Sequence, residues 1–328
     1  MKQSIKWDIS LNAKVLTAAV LFMFLMGTFL NGNFLTVSNF LSICQQMSEI
    51  GILALGLTLV IITGGIDISI GSIMGLCATV TGFCMAKGMP IFAALVCSLL
   101  VSLLCGLLNA FMVAVIKVPA MIATLGTQML FYGMALGLSE GNSISQIPQQ
   151  FYFLGQGKIA GIPVQALVLV ALTAGVAVLL KKYRFGRRLF AIGNNEKVSL
   201  YSGIKTVKVL FGVYVICAVL CCIAGNIQVA RVATARADMG STYLMECLSA
   251  VVLGGTSISG GKGNVIGTIV GVFIFTLISN IMNLVGISAF WQQFTTGVVL
   301  ILVVVFNKVT ESNLSARRSI SVKNAQSI

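Results

Sequence analysis

The amino-acid sequence predicts an all-α, polytopic integral membrane protein with about ten transmembrane helices. The 328-residue chain is 58% hydrophobic and 9% charged, with a mean hydropathy of +1.02, whereas a soluble domain has roughly 25% charged residues. Its apolar runs are continuous and helix-length, whereas the strands of a membrane barrel alternate apolar and polar residues. Its basic residues cluster in segments between these runs, which is typical of a membrane protein with a fixed orientation.

Ten apolar runs are candidate spans, each of which needs about 20 apolar residues to cross a bilayer. The third, sixth and eighth are short or rich in glycine, so the predicted range is eight to ten helices. The ten predicted spans are 15–33, 43–63, 68–86, 91–116, 120–139, 164–180, 209–230, 243–258, 264–285 and 290–307.

The distribution of charge predicts the orientation, because lysine and arginine collect on the cytoplasmic side. Residues 181–208 contain eight basic residues and one acid, Glu196. We predict that three segments are cytoplasmic: this basic segment, the N-terminal segment 1–14 and the tail 308–328. Six spans before the basic segment and four after it, both even numbers, place all three on the same side. The transmembrane domain is then 15–307, and the polar tail is predicted to be disordered. We expect Lys117 and Lys262 inside, and outside four residues: Lys87, Lys158, Arg231 and Arg236.

Several function classes are excluded by what the sequence lacks. The chain has no histidine, so Ser-His-Asp catalysis and histidine-ligated zinc are excluded. The stretch before Lys262 fails the phosphate-loop pattern, because Thr256 and Gly263 occupy positions that need Gly and Ser or Thr. The basic residues are divided among loops and tails, which argues against binding to nucleic acid. We therefore expect no enzyme activity and no cofactor or metal bound by this chain.

An eight-residue pattern occurs twice. Residues 64–71 and 254–261 both read G-G-x-x-I-S-x-G, and both end a span that is predicted to run from outside to inside. Transporters often contain repeats with glycine-interrupted segments near the functional centre, although glycine and serine also recur by chance in apolar chains. The glycines of this motif are Gly64, Gly65, Gly254 and Gly255. Glycines four residues apart, at 71 and 75 and at 263, 267 and 271, are predicted to be helix-packing seams.

Three acids lie within or beside predicted spans. Asp67 stands at a span end, where its side chain is expected to accept hydrogen bonds at the start of the next helix. Glu49 and Glu246 are expected near the outer interface, where a charge costs little. So few acids do not make a convincing ion-coupling relay.

Neutral polar residues inside the spans are candidates for the solute path. Amides and hydroxyls can hydrogen-bond a polyhydroxylated solute without carrying charge, but they can equally join helices to one another. Pro119, which opens the fifth span, could mark a broken helix at a cavity. The path candidates are Asn109, Thr124, Gln128, Asn226, Asn280, Asn283 and Gln292.

The basic segment is longer than a simple turn requires and contains apolar residues. Residues 196–202 are predicted to form a short helix between Asn195, a suitable N-cap, and Gly203, a suitable stop. The segment either serves only to set the topology or docks to a cytoplasmic partner.

Five blocks, in order over residues 40–306, resemble the permease subunits of bacterial ATP-binding-cassette (ABC) importers of the ribose and galactose type. They are residues 64–72, residues 109–127, residues 185–204, residues 240–263, and Phe290 to Gln293. The sequence departs from the family pattern at Leu244, at Glu246, at Val198 and Ser199, and at Asn194, which leaves the cognate ATPase and the solute open.

The resemblance implies a machine of several subunits in the bacterial inner (plasma) membrane. Two permease copies, as a homodimer, form the pore among the membrane lipids, a periplasmic binding protein delivers the sugar, and cytoplasmic P-loop ATPase subunits bind ATP and Mg. It also implies alternating access, with the basic segment touching the ATPase. The coupling residues implied are Arg187, Arg188, Gly193, Asn194, Glu196, Gly203 and Ile204. The alternative is an ion-coupled secondary transporter that acts alone.

Overall fold

The computed structural model describes residues 9–303 and 305, which form a helical bundle with two very short strands. Within these residues ten apolar helices correspond one to one to the predicted spans. The predicted tail at 308–328 and the first eight residues lie outside the described residues. The apolar helices are α1 (Ile9–Leu30), α2 (Val37–Ile62), α3 (Ile70–Ala86), α4 (Ile91–Ala110), α5 (Ala120–Ser139), α7 (Val164–Lys182), α10 (Thr206–Val232), α11 (Tyr243–Leu253), α12 (Val265–Leu284) and α13 (Ala289–Val303).

Short elements fill the connections between these helices. A π-helical turn, Phe111–Val115, extends α4, and a 3-10 turn, Gln149–Tyr152, leads into α6 (Phe153–Gln156). The strands β1 (Lys158–Ile159) and β2 (Ile162–Pro163) pair antiparallel. The predicted basic loop is largely helical and contains α8 (Arg184–Asn194) and α9 (Glu196–Tyr201).

Six of the helices are long and apolar enough to cross a membrane by length and composition: α2, α4 with its π-turn, α5, α7, α10 and α12. Three other apolar helices, α3, α11 and α13, are shorter, and α1 contributes the apolar stretch Leu16–Leu30. The prediction for the eighth span was too long, because α11 stops at Leu253 instead of continuing to 258. Two consecutive glycines, Gly254 and Gly255, end it, and of the three remaining predicted residues only Ile258 is apolar.

The core of the bundle surrounds α2. Every residue of α2 from Ser48 to Ile62 is buried, and this helix packs against α7, α10, α11 and α12. The outer helices instead present large apolar side chains, for example Phe29 (94% exposed) and Phe92 (79% exposed). A surface of this kind is unfavourable in water but suits the hydrocarbon region of a bilayer.

Close backbone contacts occur at four of the glycines predicted to form helix-packing seams, although only Gly271 meets another helix and the other three meet turns. A Cβ at Gly71 would overlap the Gly240 carbonyl, and one at Gly75 would overlap the Ala237 carbonyl. Gly267 and Gly271 of α12 are packed in the same way against Gly254 and Ala250. Small residues therefore let α3 and α12 approach neighbouring backbone closely.

The loops gather at two ends of the bundle as the ten-span topology requires. At one end, which we call the outer end from the predicted orientation, Ile144 pairs with Ala235 in a β-bridge and Gln156 Nε2 donates to the Arg231 carbonyl (2.9 Å). In the same outer region, a hydrogen bond to Asp238 raises the pKa of Arg236. At the other end, the cytoplasmic end, the loops that hold Lys117, Lys262 and the basic segment meet.

Candidate coupling site

Residues 184–204, the coupling segment, form two short helices at the cytoplasmic end. The Asn195 side chain accepts a hydrogen bond from Val198 N (3.1 Å) and caps α9. Gly203, with φ of +79°, follows α9, and its N–H bonds to the Leu200 carbonyl (3.0 Å). The predicted short helix with its cap and its stop is therefore confirmed, and α8 before it is an additional helix.

The coupling segment packs directly onto the ends of two other elements. Gly261 N donates to the Ile62 carbonyl at the end of α2 (2.9 Å). Gly193 of α8 lies against both groups, so that a Cβ at this position would overlap Ile62 O and Gly261 N. A Cβ at Gly260 would stand 2.8 Å from Gly64 Cα and 2.9 Å from Gly193 O. We call these contacts between residues 62–64, 193–194 and 260–261 the glycine junction.

The two copies of the repeated pattern meet at this junction and end their helices with the same turn. After α2, Gly64 has φ of +85° and Gly65 N donates to Val60 O (3.3 Å). After α11, Gly255 has φ of +88° and Thr256 N donates to Val251 O (3.2 Å). Such turns need a residue without a side chain at the left-handed position. The sequence match pairs Gly64 with Gly254, whereas the left-handed residues of the two turns are Gly64 and Gly255. Because of this one-residue offset, a true structural repeat stays a prediction.

The coupling segment also reaches the loop between α4 and α5. Lys117 Nζ and Glu196 Oε1 form a salt bridge of 2.7 Å, with both side chains about half exposed. An exposed pair adds little to stability, but it orients the segment. Asn194 Nδ2 donates to the Phe190 carbonyl (2.8 Å) within α8.

The outward face of the coupling segment is both basic and apolar. Arg187 and Arg188 are exposed on α8. Leu200 and Tyr201 of α9 are 57% and 89% exposed. Ile204, half-buried, follows and leads into α10. Exposed apolar side chains at a loop beyond the membrane are typical of a docking surface.

A network of polar side chains lies beside the junction, around Asp67. This carboxylate is buried, and its Oδ1 accepts from Ser69 N (2.9 Å) and Ser69 Oγ (2.6 Å) just before α3. Asn109 Nδ2 donates to Ser69 Oγ (2.8 Å), and Thr127 Oγ1 donates to Asn109 Oδ1 (2.7 Å). In the described residues Asp67 has no salt bridge. The predicted capping role is matched only in part, because the N–H that Asp67 accepts from belongs to Ser69, the N-cap residue, and not to the first turn of α3.

Thr124 ties α5 to the same turn. Its Oγ1 donates to the Ile66 carbonyl (3.1 Å) and accepts from Ile68 N (3.0 Å). A Cβ at Gly65 would stand 3.1 Å from Tyr214 Oη of α10. The loop after α2 is thus held by α4, α5 and α10 together.

The other path candidates lie elsewhere and do not converge with Asn109 and Thr124. Asn226 accepts from Thr81 Oγ1 (2.6 Å) between α10 and α3. Asn280 exchanges two hydrogen bonds with Asn39 of α2 (2.7 and 3.0 Å). Gln292 Nε2 donates to Asn283 Oδ1 (2.7 Å), and Gln128 is half-buried on α5. Apart from Gln128, these candidates have hydrogen-bond partners within the chain.

Sequence reasoning missed a buried ion pair near the outer end. Glu49 is fully buried, and Arg231 donates to its carboxylate through Nε (2.6 Å) and Nη2 (3.0 Å). Tyr243 Oη donates to Glu49 Oε2 (2.9 Å), and Gln228 Nε2 donates to Tyr243 Oη (3.1 Å). We call this set the outer clamp, because it joins α2, α10 and α11. The only signal in the sequence was an acid inside one apolar run and an arginine at the end of another. Glu246, expected like Glu49 at the outer interface, is half-buried on α11.

A bundle of apolar helices with a basic helical segment packed on one end defines a multi-pass membrane transport protein. A family model described as branched-chain amino acid transport system / permease component matches residues 39–304. The chain therefore belongs to this family of ABC transport permeases, in its sugar permease group, and the resemblance noted in the sequence is confirmed. It is a permease of the bacterial inner membrane and not an enzyme.

The individual relatives are import permeases. The chain is 36% identical over 281 residues to the ribose import permease protein RbsC of Bacillus subtilis, which covers 85% of the chain and 87% of the relative. It is 34% identical to RbsC of Escherichia coli K12, over 89% of the chain and 92% of the relative. It is also 34% identical to the autoinducer 2 import system permease protein LsrD of Escherichia coli O9:H4, over 93% of the chain and 92% of the relative. No solved structure matches the chain.

Proposed function

We propose that the chain is the permease subunit of an ABC importer that moves a sugar or sugar-like solute into the cytoplasm by alternating access, driven by a separate P-loop ATPase. The observation that carries the proposal is the glycine junction. In it, backbone atoms of the basic, outward-facing helical segment at Gly193 lie directly against Ile62 O at the end of α2 and Gly261 N in the loop between α11 and α12.

Direct backbone contact is what coupling requires. When the ATPase moves the coupling segment, Gly193 has no side chain to absorb the displacement, so the motion passes to Ile62 and Gly261. Ile62 ends α2, which is packed in the core, and Gly261 lies in the loop that joins α11 to α12. Packed elements move as units. ATP and Mg are bound by the ATPase and not by this chain, and ATP binding biases two states of the permease.

A second copy of the chain is proposed to complete the path, against the open face of α5. Gly126, Gly133 and Gly137 of α5 have no atom within 4 Å of the place where a Cβ would stand. Helix α5 is also held by Thr124 beside the junction, so a movement there changes the face that the second copy meets. Gln128 remains the path candidate on this helix.

The solute is proposed to arrive from a periplasmic binding protein at the outer end. Two relatives are named for ribose and one for autoinducer 2, which are small and polar. The neutral amides and hydroxyls of this chain suit such a solute better than an ion. Because the relatives are named for two different solutes, the identity of the solute of this chain has to be measured.

The test is capture of partners by the tagged full-length chain, extracted in mild detergent from its native host, with mass spectrometry of the bound proteins. We expect a near-stoichiometric P-loop ATPase. The Gly193→Leu variant is expected to lose ATP-dependent solute uptake, because the added side chain keeps the glycine junction from closing. Gly32→Leu, with open space around it, serves as the control. If no ATPase is recovered even after crosslinking, and the purified chain alone drives uptake under an ion gradient, the proposal is wrong and the secondary transporter takes its place.

A further inference from the structure

Two surface features have no part in the junction: a shallow basic depression at the cytoplasmic end of α7, and an apolar groove that runs along the middle of α7 and α10 toward that end. The first is a cavity of about 220 Å³ lined by Arg184, Arg187, Arg188 and Ile204, which we call the arginine pocket. The second is a cavity of about 350 Å³ between α7 and α10, which we call the acyl groove.

The arginine pocket has no acid to balance its charge. The salt bridges in the described residues involve Lys117, Arg231 and Arg236, and none includes an arginine of the pocket. Glu196, the one acid between 181 and 208, is paired with Lys117. Three arginines that line one depression without a paired carboxylate favour a phosphate group, which arginine binds with two parallel hydrogen bonds. Within the chain, Arg187 Nη1 donates to the Lys182 carbonyl (3.4 Å).

The acyl groove is lined entirely by apolar residues and is open at its middle. Gly175 of α7 has no atom within 4 Å of the place where a Cβ would stand. Val176 and Leu179 of α7 face Ile216 and Val219 of α10 across the groove. Its shape and chemistry suit a hydrocarbon chain and offer nothing to a sugar.

The two features share no lining residue but follow one another along the chain at the end of α7. Leu179 lines the groove and Arg184 lines the pocket, with α7 ending at Lys182 and only Tyr183 between the helices. Helix α8, which holds the arginines, packs against both α7 and α10. A basic pocket at the end of an apolar helix, preceded by Lys181 and Lys182, lies at the level of lipid headgroups.

We propose that this site binds one anionic phospholipid of the cytoplasmic leaflet. Its phosphate lies on Arg184, Arg187 and Arg188, and one acyl chain lies in the groove beside Gly175. The lipid would fasten α8 to α7 and α10 and so hold the coupling segment in place. A free phosphate ion or an acidic surface of the ATPase would fill the pocket but leave the groove empty, which is why the observations favour a lipid. The leaflet follows from the predicted orientation, whereas the binding itself does not depend on the proposed transport function.

The test is native mass spectrometry of the purified full-length chain in neutral detergent, with phosphatidylglycerol or phosphatidylcholine of the same acyl chains added. We expect phosphatidylglycerol to be retained at least about tenfold better, since several basic residues act together. The variant Arg184→Gln/Arg187→Gln/Arg188→Gln is expected to remove the difference. The control Lys197→Gln/Lys205→Gln/Lys208→Gln removes the same charge from the basic segment 181–208. It is expected to retain the preference for phosphatidylglycerol.

The groove is tested separately, which also covers the case in which the triple arginine variant fails to fold. Gly175→Phe fills the groove and is expected to lower phosphatidylglycerol retention, whereas Ala174→Phe, on the neighbouring exposed position of α7, is expected to have no effect. Equal effects of both would overturn the proposal. A second result would also overturn it: glycerol phosphate displacing phosphatidylglycerol equally well from Gly175→Phe and from the unmodified chain. The groove would then contribute nothing, and the site would bind free phosphate only. Unchanged lipid retention with loss of the captured ATPase in the arginine variant would assign the pocket to the ATPase instead.

Discussion

Among single residues, Glu49 and Arg231 carry the clearest energetic consequence. Glu49 is fully buried and Arg231 is 27% exposed, so removal of one partner leaves the other charge without compensation in an apolar environment. We expect Arg231→Met to lower the free energy of unfolding by about 3–5 kcal/mol, measured by thermal unfolding in detergent. The double variant Glu49→Leu/Arg231→Met should recover much of that loss, because it removes both charges.

The control for the clamp is the exposed pair of Arg236 and Asp238, whose side chains are 58% and 43% exposed. Arg236→Met should change stability by no more than about 1 kcal/mol. Equal losses of unfolding free energy in Arg231→Met and Arg236→Met would mean that the outer clamp stabilises the fold no more than an exposed ion pair does.

At Gly193 the prediction concerns activity more than folding. Substitution by alanine forces a Cβ into Ile62 O and Gly261 N, so the junction must separate. We expect Gly193→Ala to reduce solute-stimulated ATP hydrolysis of the reconstituted complex at least about tenfold, equivalent to about 1.4 kcal/mol of coupling, while the ATPase remains bound. Gly32→Ala should hydrolyse ATP like the unmodified complex, and an unaffected Gly193→Ala would refute the role of the junction.

Residue contacts were the least predictable part of the site. The cap of α9 at Asn195 and the local role of Asp67 followed from neighbours in the sequence. The clamp did not, because Glu49 and Arg231 are 182 residues apart and only the packing of α2 against α10 brings them together. For the same reason, Asn226 on α10 was grouped by composition with Asn280 and Asn283 on α12, although the fold gives Asn226 and Asn280 different partners.

At the scale of an element, α5 combines a held face and an open face. Thr124 and Thr127 bond to the bundle, whereas Gly126, Gly133 and Gly137 face open space. We expect Gly133→Trp to leave the thermal stability of the single chain unchanged but to abolish uptake, because the side chain would intrude where the second copy and the path are proposed. Ala174→Trp on exposed α7 is the matched control. Normal uptake by Gly133→Trp, measured in cells that express the whole importer, would exclude α5 from the path.

Helix existence was predictable and helix ends were less so. Continuous apolar runs located all ten apolar helices, since a run of that length can satisfy its backbone in a membrane only as a helix. The end of α11 was misplaced because the residues from 254 to 258 are uncharged, and the span was continued through the glycine turn to Ile258. The helical form of residues 184–194 was missed because charged and apolar residues alternate there in a pattern that was interpreted as a loop.

For the whole molecule, the two sets of loops predict a labelling pattern. Single cysteines at Lys158 and Lys197 should behave oppositely, since the first lies in the outer hairpin and the second in the coupling segment. We expect Lys158→Cys to react with a membrane-impermeant maleimide in intact cells and Lys197→Cys to react only after permeabilisation. The unmodified chain gives the background, because its nine cysteines all lie in apolar helices. The reverse pattern would invert the topology and the leaflet of the lipid site.

Helix α2 is buried without a break from Ser48 to Ile62, and it carries a member of the outer clamp and a member of the glycine junction. Ile62 lies thirteen residues after Glu49, which is about 20 Å of helical rise. A helix packed on every side cannot bend locally without opening voids, so we expect α2 to move as one rigid lever. Under the proposed mechanism, a displacement of the glycine junction at Ile62 then reaches the outer clamp at Arg231 and Tyr243 within the same movement.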